Sequence, residues 1–192
     1  MKDIKTMNAP STPPLSPYSS KNVQMESKPH TLSVLVDNEP GVLARVVGLF
    51  SGRGYNIESL TVAEVAHNEL LSRITIVTSG TLDAIEQIVH QLDRLVPVHK
   101  VTNLTLEFKG KTVARELALI KVKGRGQDRQ EALQLADAFR ARVVDASTES
   151  FVFELTGSAS KINDFVELMR PLGLVEVSRT GVAAISRGPK AM

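Results

Sequence analysis

The chain has 192 residues, 42% of them hydrophobic and 23% charged, with a formal net charge of +2; that is room for one domain or two small ones around a packed core. The near-neutral charge excludes an electrostatic footprint for nucleic acid or an anionic membrane, and 4% aromatic residues with no Trp are too few for a base-stacking platform. The absence of Cys excludes disulfides, thiolate catalysis and Cys-ligated metals, and no apolar run approaches the roughly 20 residues of a membrane span, so the expectation is a soluble cytoplasmic protein with no membrane partner.

Residues 1–29 hold Pro10, Pro13, Pro14, Pro17 and Pro29 among Ser, Thr and Lys, without a hydrophobic period. They read as a disordered tail, and its lack of Arg and its acidic residues argue against a transit peptide. From Thr31 the pattern turns regular. TLSVLVD sets Leu32, Val34 and Val36 on one face of a strand. Pro40 then opens a helix whose stripe is Val42, Leu43, Val46, Val47, Leu49 and Phe50, and Gly52 and Gly54 close it. NIESLTVAEV predicts a second strand, AHNE a polar turn, and LLSRITIVTSG a third strand. TLDAIEQIVHQLDRL is an amphipathic helix through Leu82, Ile85, Ile88, Leu92 and Leu95, and VPVHKVTNLTLEF predicts a fourth strand.

The order then repeats. VARELALIKVKG predicts a strand, QDRQEALQLADAFRA a helix with Ala132, Leu135, Ala136 and Phe139 inward, and RVVDAS and FVFELTG two strands about a turn at Thr148 and Glu149. Ser158 or Ser160 caps the next helix, with Ile162, Phe165, Val166, Met169 and Leu172 on its core face. LVEVSRTG and VAAIS end the sheet. The fold class is therefore α+β: two consecutive ferredoxin-like βαββαβ domains, over 30–108 and 113–188, joined near Lys109 to Thr112 with Gly110 as the flexible point. Each domain is small and leaves one sheet face and its edges bare, which favours pairing with another copy, a dimer at least.

The chemistry-bearing residues point away from catalysis. His30, His67, His90 and His99 are scattered, with no carboxylate at metal-ligand spacing, and Glu58, Glu64 and Glu69 sit near strand ends without an evident acid–base pair. Lys123-Gly124-Arg125-Gly126 lies between a strand and a helix, where a phosphate can bind, but it lacks the third Gly of a dinucleotide fingerprint, and a plain strand-to-helix turn accounts for it. Arg115, Glu116 and Arg179 read as exposed and solvated, with a partner contact as the alternative.

The segment DNEPGVLARVVGLFSGRGYNIESL offers a binding site instead. Gly41 follows Pro40 at a helix start, where the first N–H groups lack internal partners and a missing side chain lets a small carboxylate approach. Asn38 and Asn56 carry amides that can hold either end of a zwitterion, and Val42, Leu43, Ile57 and Val62 supply an apolar lining for a short aliphatic side chain. Structural roles fit the same residues: Asn38 as a helix cap, Gly41 for tight helix–sheet packing, Asn56 in a turn of positive φ. Spacing alone does not decide between the two.

The motif D/N-x-P-G-x-L, met here from Asp37 to Leu43, resembles the ACT domain, a βαββαβ module that binds amino acids at paired interfaces. NEPGVLARVVGLFSGRGYNIESLTV, LSRITI, LIKV and SRTGVAAISRG further resemble the small regulatory subunits of acetolactate synthase, over about residues 30–188. The resemblance implies a regulatory subunit with no catalytic residues and no metal of its own. Its partner would be a large catalytic subunit holding thiamine diphosphate, Mg and FAD, which condenses pyruvate with a second 2-ketoacid in branched-chain amino-acid synthesis. The small subunit would raise that activity and confer feedback inhibition, commonly by valine, held between the ACT domains of a homodimer. By position, Asn38, Gly41 and Asn56 would bind the effector; the sequence does not choose among valine, leucine and isoleucine. A second reading is a free-standing amino-acid-sensing regulator of a transcription factor or nucleic acid, against which the missing strand aromatics and the near-neutral charge stand.

Overall fold

A computed structural model describes residues 27–65 and 68–189. The first half runs β1 (Lys28–Asp37), α1 (Val42–Gly52), β2 (Ser59–Val65), β3 (Asn68–Gly80), α2 (Leu82–Asp93), β4 (Val98–Asn103) and a single helical turn, α3 (Leu104–Glu107). The second runs β5 (Thr112–Lys123), α4 (Gly126–Phe139), β6 (Arg142–Ala146), β7 (Ser150–Gly157), α5 (Ala159–Met169) and β8 (Leu174–Arg179), and ends in β9 (Ala183–Ser186). The sheets are antiparallel with orders β2-β3-β1-β4 and β6-β7-β5-β8, the expected βαββαβ arrangement twice over.

Strand alternation and helix period meet in the two cores. Leu32, Val34 and Val36 of β1 and Ile74 and Ile76 of β3 lie beneath Val46 and Phe50 of α1 and Ile85, Ile88 and Leu92 of α2, all buried. Ala118, Ile120 and Val122 of β5 and Phe153 and Leu155 of β7 lie beneath Ala132, Ala136, Ile162, Phe165 and Met169. Each large side chain so buried stabilises the fold by about 1.5–3 kcal/mol. Thr81 caps α2 by accepting from Ala84 N at 3.3 Å. Ser158 is the residue that caps α5, accepting from Lys161 N at 3.3 Å, while Ser160 shares a 3.0 Å hydrogen bond with Ser158.

Several boundaries differ from the sequence reading. Of the tail read over 1–29, residues 1–26 lie outside the described residues, and β1 takes in Lys28 and Pro29, which pairs with Ser79 near the strand's start. Residues 66 and 67 of the expected polar turn also lie outside, and β3 begins at Asn68. The fourth strand, expected to continue through Phe108, stops at Asn103. The Asn103 side chain accepts from Thr105 N and Leu106 N, both at 3.2 Å, and Glu107 Oε1 accepts from Asn103 N at 2.9 Å. An Asn able to cap in this way turns the backbone into a helix start rather than prolonging a strand. The chain's last strand leaves the edge of β8 and pairs with Thr112–Arg115, the first part of β5.

That last strand brings the halves together. Ser59 and Thr61 on the outer face of β2 reach the β8–β9 turn: Val182 N donates to Ser59 Oγ at 2.9 Å and Thr61 Oγ1 donates to Val182 O at 3.0 Å. Leu104, Val182 and Ala184 form a small third core with Val77, Phe108 and Ala114. Part of the first sheet's bare face is thus covered by the chain's own second half. Gly181 makes the approach possible: its φ is +83, and a Cβ there would meet Ser59 Oγ and Thr61 Oγ1 at 2.9 Å. Gly181→Ala is expected to lower stability by about 2–4 kcal/mol, from left-handed strain and the lost seam hydrogen bonds. Urea unfolding of the full chain checks this; a midpoint equal to that of the unsubstituted chain would contradict it.

Candidate functional site

The turn between β1 and α1 carries the candidate site. Asn38 N donates to Leu70 O at 2.8 Å, Pro40 and Gly41 follow, and Gly41 is the helix N-cap at φ 86. No side chain caps α1. Val42 N donates to Glu39 O at 3.4 Å and Arg45 N to Gly41 O at 3.1 Å, which leaves the N–H groups of Leu43 and Ala44 without a partner among the described residues. A Cβ at Gly41 would meet nothing within 4 Å, so tight packing is not what the glycine serves. It supplies the left-handed turn and leaves open space above two unsatisfied donors at a helix N-terminus, the chemistry of a carboxylate site.

Asn38 does not cap the helix. Its Nδ2 donates to Glu64 Oε1 and its Oδ1 accepts from Ser72 Oγ, both at 3.0 Å, so the amide ties the ends of β1, β2 and β3 together. Glu64 is the residue that the sequence reading missed here. The alternation in SLTVAEV puts Leu60, Val62 and Glu64 on one face, where their pairing partners Ile76, Ile74 and Ser72 also lie, and a carboxylate at the end of an apolar face was the available signal. The exposed Glu64 carboxylate offers a counter-charge for an ammonium within one hydrogen bond of Asn38.

Asn56 stands apart. Helix α1 has 11 residues and spans about 16 Å at its usual rise, with Gly41 before its first turn and Asn56 beyond its last. Asn56 is exposed, its carbonyl accepts from Thr78 Oγ1 at 2.6 Å, and its φ is not positive, so the turn role weighed above does not hold. Between the two ends runs β2, the edge of the sheet, with Val62 43% exposed at its middle. Leu43 is exposed on the first turn of α1, Ile57 is half-buried against the core, and Val42 is buried within it and presents only backbone. One chain therefore gathers Asn38, Gly41, Leu43 and Glu64 at one end of the edge and Asn56 with Ile57 at the other.

Several other polar groups are engaged elsewhere. Glu116, expected to be solvated, is buried: Arg179 Nε and an Nη donate to its two oxygens at 2.8 and 2.6 Å, and the other Nη donates to Asn163 Oδ1 at 2.7 Å. The pair forms one wall of a cavity of about 450 Å³ between the halves, opposite Glu58 and Ser59. In the Lys123–Gly126 turn Arg125 pairs with Glu149, and Arg129 stacks 3.8 Å over the Phe151 ring. His30 contacts Asn103, His99 contacts Asp37, and no group of three or more His, Asp or Glu side chains converges among the described residues. On the outer face of the second sheet the hydrogen bond between Lys121 and Glu176, then their charge attraction, holds the ammonium above and the carboxyl below their ordinary ranges. Among the described residues no helix is long and apolar enough to cross a membrane.

Comparison with known proteins places both halves. Residues 32–100 match the acetohydroxyacid synthase small subunit-like ACT domain, and residues 115–188 match the family described as the small subunit of acetolactate synthase. The probable acetolactate synthase small subunit of Archaeoglobus fulgidus is 47% identical over 161 residues, 84% of this chain and 98% of that one. The acetolactate synthase small subunit of Mycolicibacterium smegmatis is 44% identical over 161 residues, 84% and 92% of the two chains. The crystal structure of the acetolactate synthase small subunit from Thermotoga maritima superposes with a TM-score of 0.76 at 40% identity, covering 85% of this chain and 99% of that one. With an ACT domain, a second βαββαβ unit and these relatives along its described length, the chain belongs to the acetolactate synthase small-subunit family.

Proposed function

We propose that this protein is a non-catalytic regulatory subunit that binds the acetolactate synthase large subunit, raises its activity and confers feedback inhibition by valine. In this reading thiamine diphosphate, Mg and FAD belong to the large subunit. The observation that carries the proposal is the separation of the half-sites along an open edge strand. Two copies paired antiparallel through β2 about a two-fold axis bring the Asn38–Gly41 end of each against the Asn56 end of the other. Each of the two equivalent pockets then has open N–H groups of α1 for the effector carboxylate, Glu64 for its ammonium, and Leu43, Val62 and the partner's Ile57 around its side chain.

A ligand held between two chains favours one arrangement of the dimer, which is the condition for coupling; about 1–3 kcal/mol is the usual size. Pocket volume discriminates by only about 1–3 kcal/mol per methylene, so leucine and isoleucine act more weakly than valine rather than being excluded. Calorimetric titration with each branched-chain amino acid, beside large-subunit activity with and without this chain, tests the proposal. Valine binding tightest, with activation that valine reverses, is the expected result. A chain that binds none of the three and leaves activity unchanged would overturn it.

A further inference from the structure

Strand β2 serves two neighbours at once. Its residues alternate between the faces of the sheet, so Leu60, Val62 and Glu64, opposite Ile76, Ile74 and Ser72, lie on the face toward the helices, the side of the proposed effector pocket. Ser59, Thr61 and Ala63, opposite Val77, Thr75 and Arg73, lie on the other face. There the two hydroxyls clasp both backbone polar groups of one residue of the second half: Val182 N donates to Ser59 Oγ at 2.9 Å, and Thr61 Oγ1 donates to Val182 O at 3.0 Å. Two side chains of an edge strand thus do for Val182 what the backbone of a neighbouring strand would do. The fit leaves no slack, since a Cβ on Gly181 would meet both hydroxyls and come within 3.3 Å of Leu60 O.

The clasped turn is itself tied to the centre of the second sheet. On one side of Val182, Thr180 N donates to Leu117 O at 3.0 Å, Leu117 N donates to Thr180 Oγ1 at 3.2 Å, and Arg179 holds Glu116. On the other side, Ala183 to Ser186 pair with Arg115 to Thr112. All these partners belong to β5, the strand between β7 and β8. Open space flanks the clasp. The cavity of about 450 Å³ is lined by Ser59, Leu60 and Arg179, and a groove of about 320 Å³ is lined by Thr61, Ala63 and Ala183. The halves therefore have room to shift beside a contact made of directional hydrogen bonds, so a displacement of β2 is passed to the turn and on to β5.

We propose that the clasp of Ser59 and Thr61 on Val182 is the relay that carries effector binding from the first half into the second, so that the second half takes part in inhibition without lining the pocket. This relay rests on the valine-binding dimer proposed above. An effector held between two copies along β2 fixes the position of that strand, and the opposite face of the same strand fixes the β8–β9 turn. Ser59 and Thr61 are positioning residues: they touch no effector, yet they decide whether its binding is felt beyond the pocket.

The test uses the full chain, with and without its large subunit. In the unsubstituted chain, saturating valine is expected to slow amide hydrogen exchange over residues 180–186 by about 5-fold or more, the low end of a usual coupling. Exchange there that is unchanged while valine binds overturns the relay, and this measurement needs no substitution. Ser59→Ala with Thr61→Val removes both hydroxyls. Valine affinity of the chain and activation of the large subunit should stay within a few-fold, while the ratio of activity without valine to activity at saturating valine falls by about 5-fold or more. Thr61→Ser, which keeps the hydroxyl, keeps inhibition. Full inhibition in the double variant overturns the relay and leaves the regulatory reading standing. Loss of valine binding together with inhibition also overturns it, because the hydroxyls would then shape the pocket itself. An unsubstituted chain that binds no valine removes the proposed function, and the relay with it.

Discussion

Gly41→Asp is expected to abolish valine inhibition while leaving activation of the large subunit in place. The new carboxylate would project into the open space above the Leu43 and Ala44 N–H groups, occupy the donors meant for the effector and repel the effector's own charge. We expect the valine affinity to fall by about 100-fold or more, roughly 2.7 kcal/mol. Folding should be little affected. Left-handed strain at φ 86 costs about 1–2 kcal/mol, but Asp tolerates that region and caps the helix, which offsets about as much. The assay is acetolactate formation by the reconstituted complex across a valine titration, with a thermal melt as the control. Inhibition at unchanged valine concentrations would remove Gly41 from the site.

Arg179→Leu should give a large stability loss. It strips the buried Glu116 carboxylate, 5% exposed, of both hydrogen bonds that hold it. Breaking a buried pair in this way costs about 3–5 kcal/mol; the Arg179 side chain is 35% exposed at the cavity mouth, so we take the lower end, about 3 kcal/mol. For a chain of this size that is a fall of about 6–12 °C in melting temperature. Glu116→Met combined with Arg179→Leu should recover most of it, since neither charge is then stranded. A single variant that melts with the unsubstituted protein, or a double variant no better than the single, would show that the pair does not stabilise the second domain.

The element order and both cores were legible because the apolar period is unbroken: Leu32, Val34 and Val36 alternate, and Ile85, Ile88 and Leu92 recur at helical spacing. The Asn38–Gly41 turn was legible from residue type. The burial of Glu116 was written in the sequence but overlooked, since Glu116 is in phase with Ala118, Ile120 and Val122 on the inner face of β5, and a charge on that face needs a partner. Glu64 lay in phase with Leu60 and Val62 in the same manner. The end of β4 at Asn103 was not legible, because a capping side chain overrides an apolar pattern that suits strand and helix alike. The distance between Gly41 and Asn56 needed the helix between them to be laid out in space. Only then does it follow that one chain cannot close both around a small ligand.

That consequence has a direct measurement. Differently tagged Gly41→Asp and Asn56→Ala chains are coexpressed, the mixed dimer is isolated through both tags, and valine is titrated into it by calorimetry beside the two parent dimers. A pocket built from the α1 start of one chain and the Asn56 end of the other leaves both parents without a working site. In the mixed dimer it concentrates both defects in one pocket and leaves the other whole, so the expected result is valine binding at a single site per dimer with the affinity of the unsubstituted protein. A mixed dimer as silent as its parents would mean that both residues serve one pocket within a chain, and the shared-site account would be wrong.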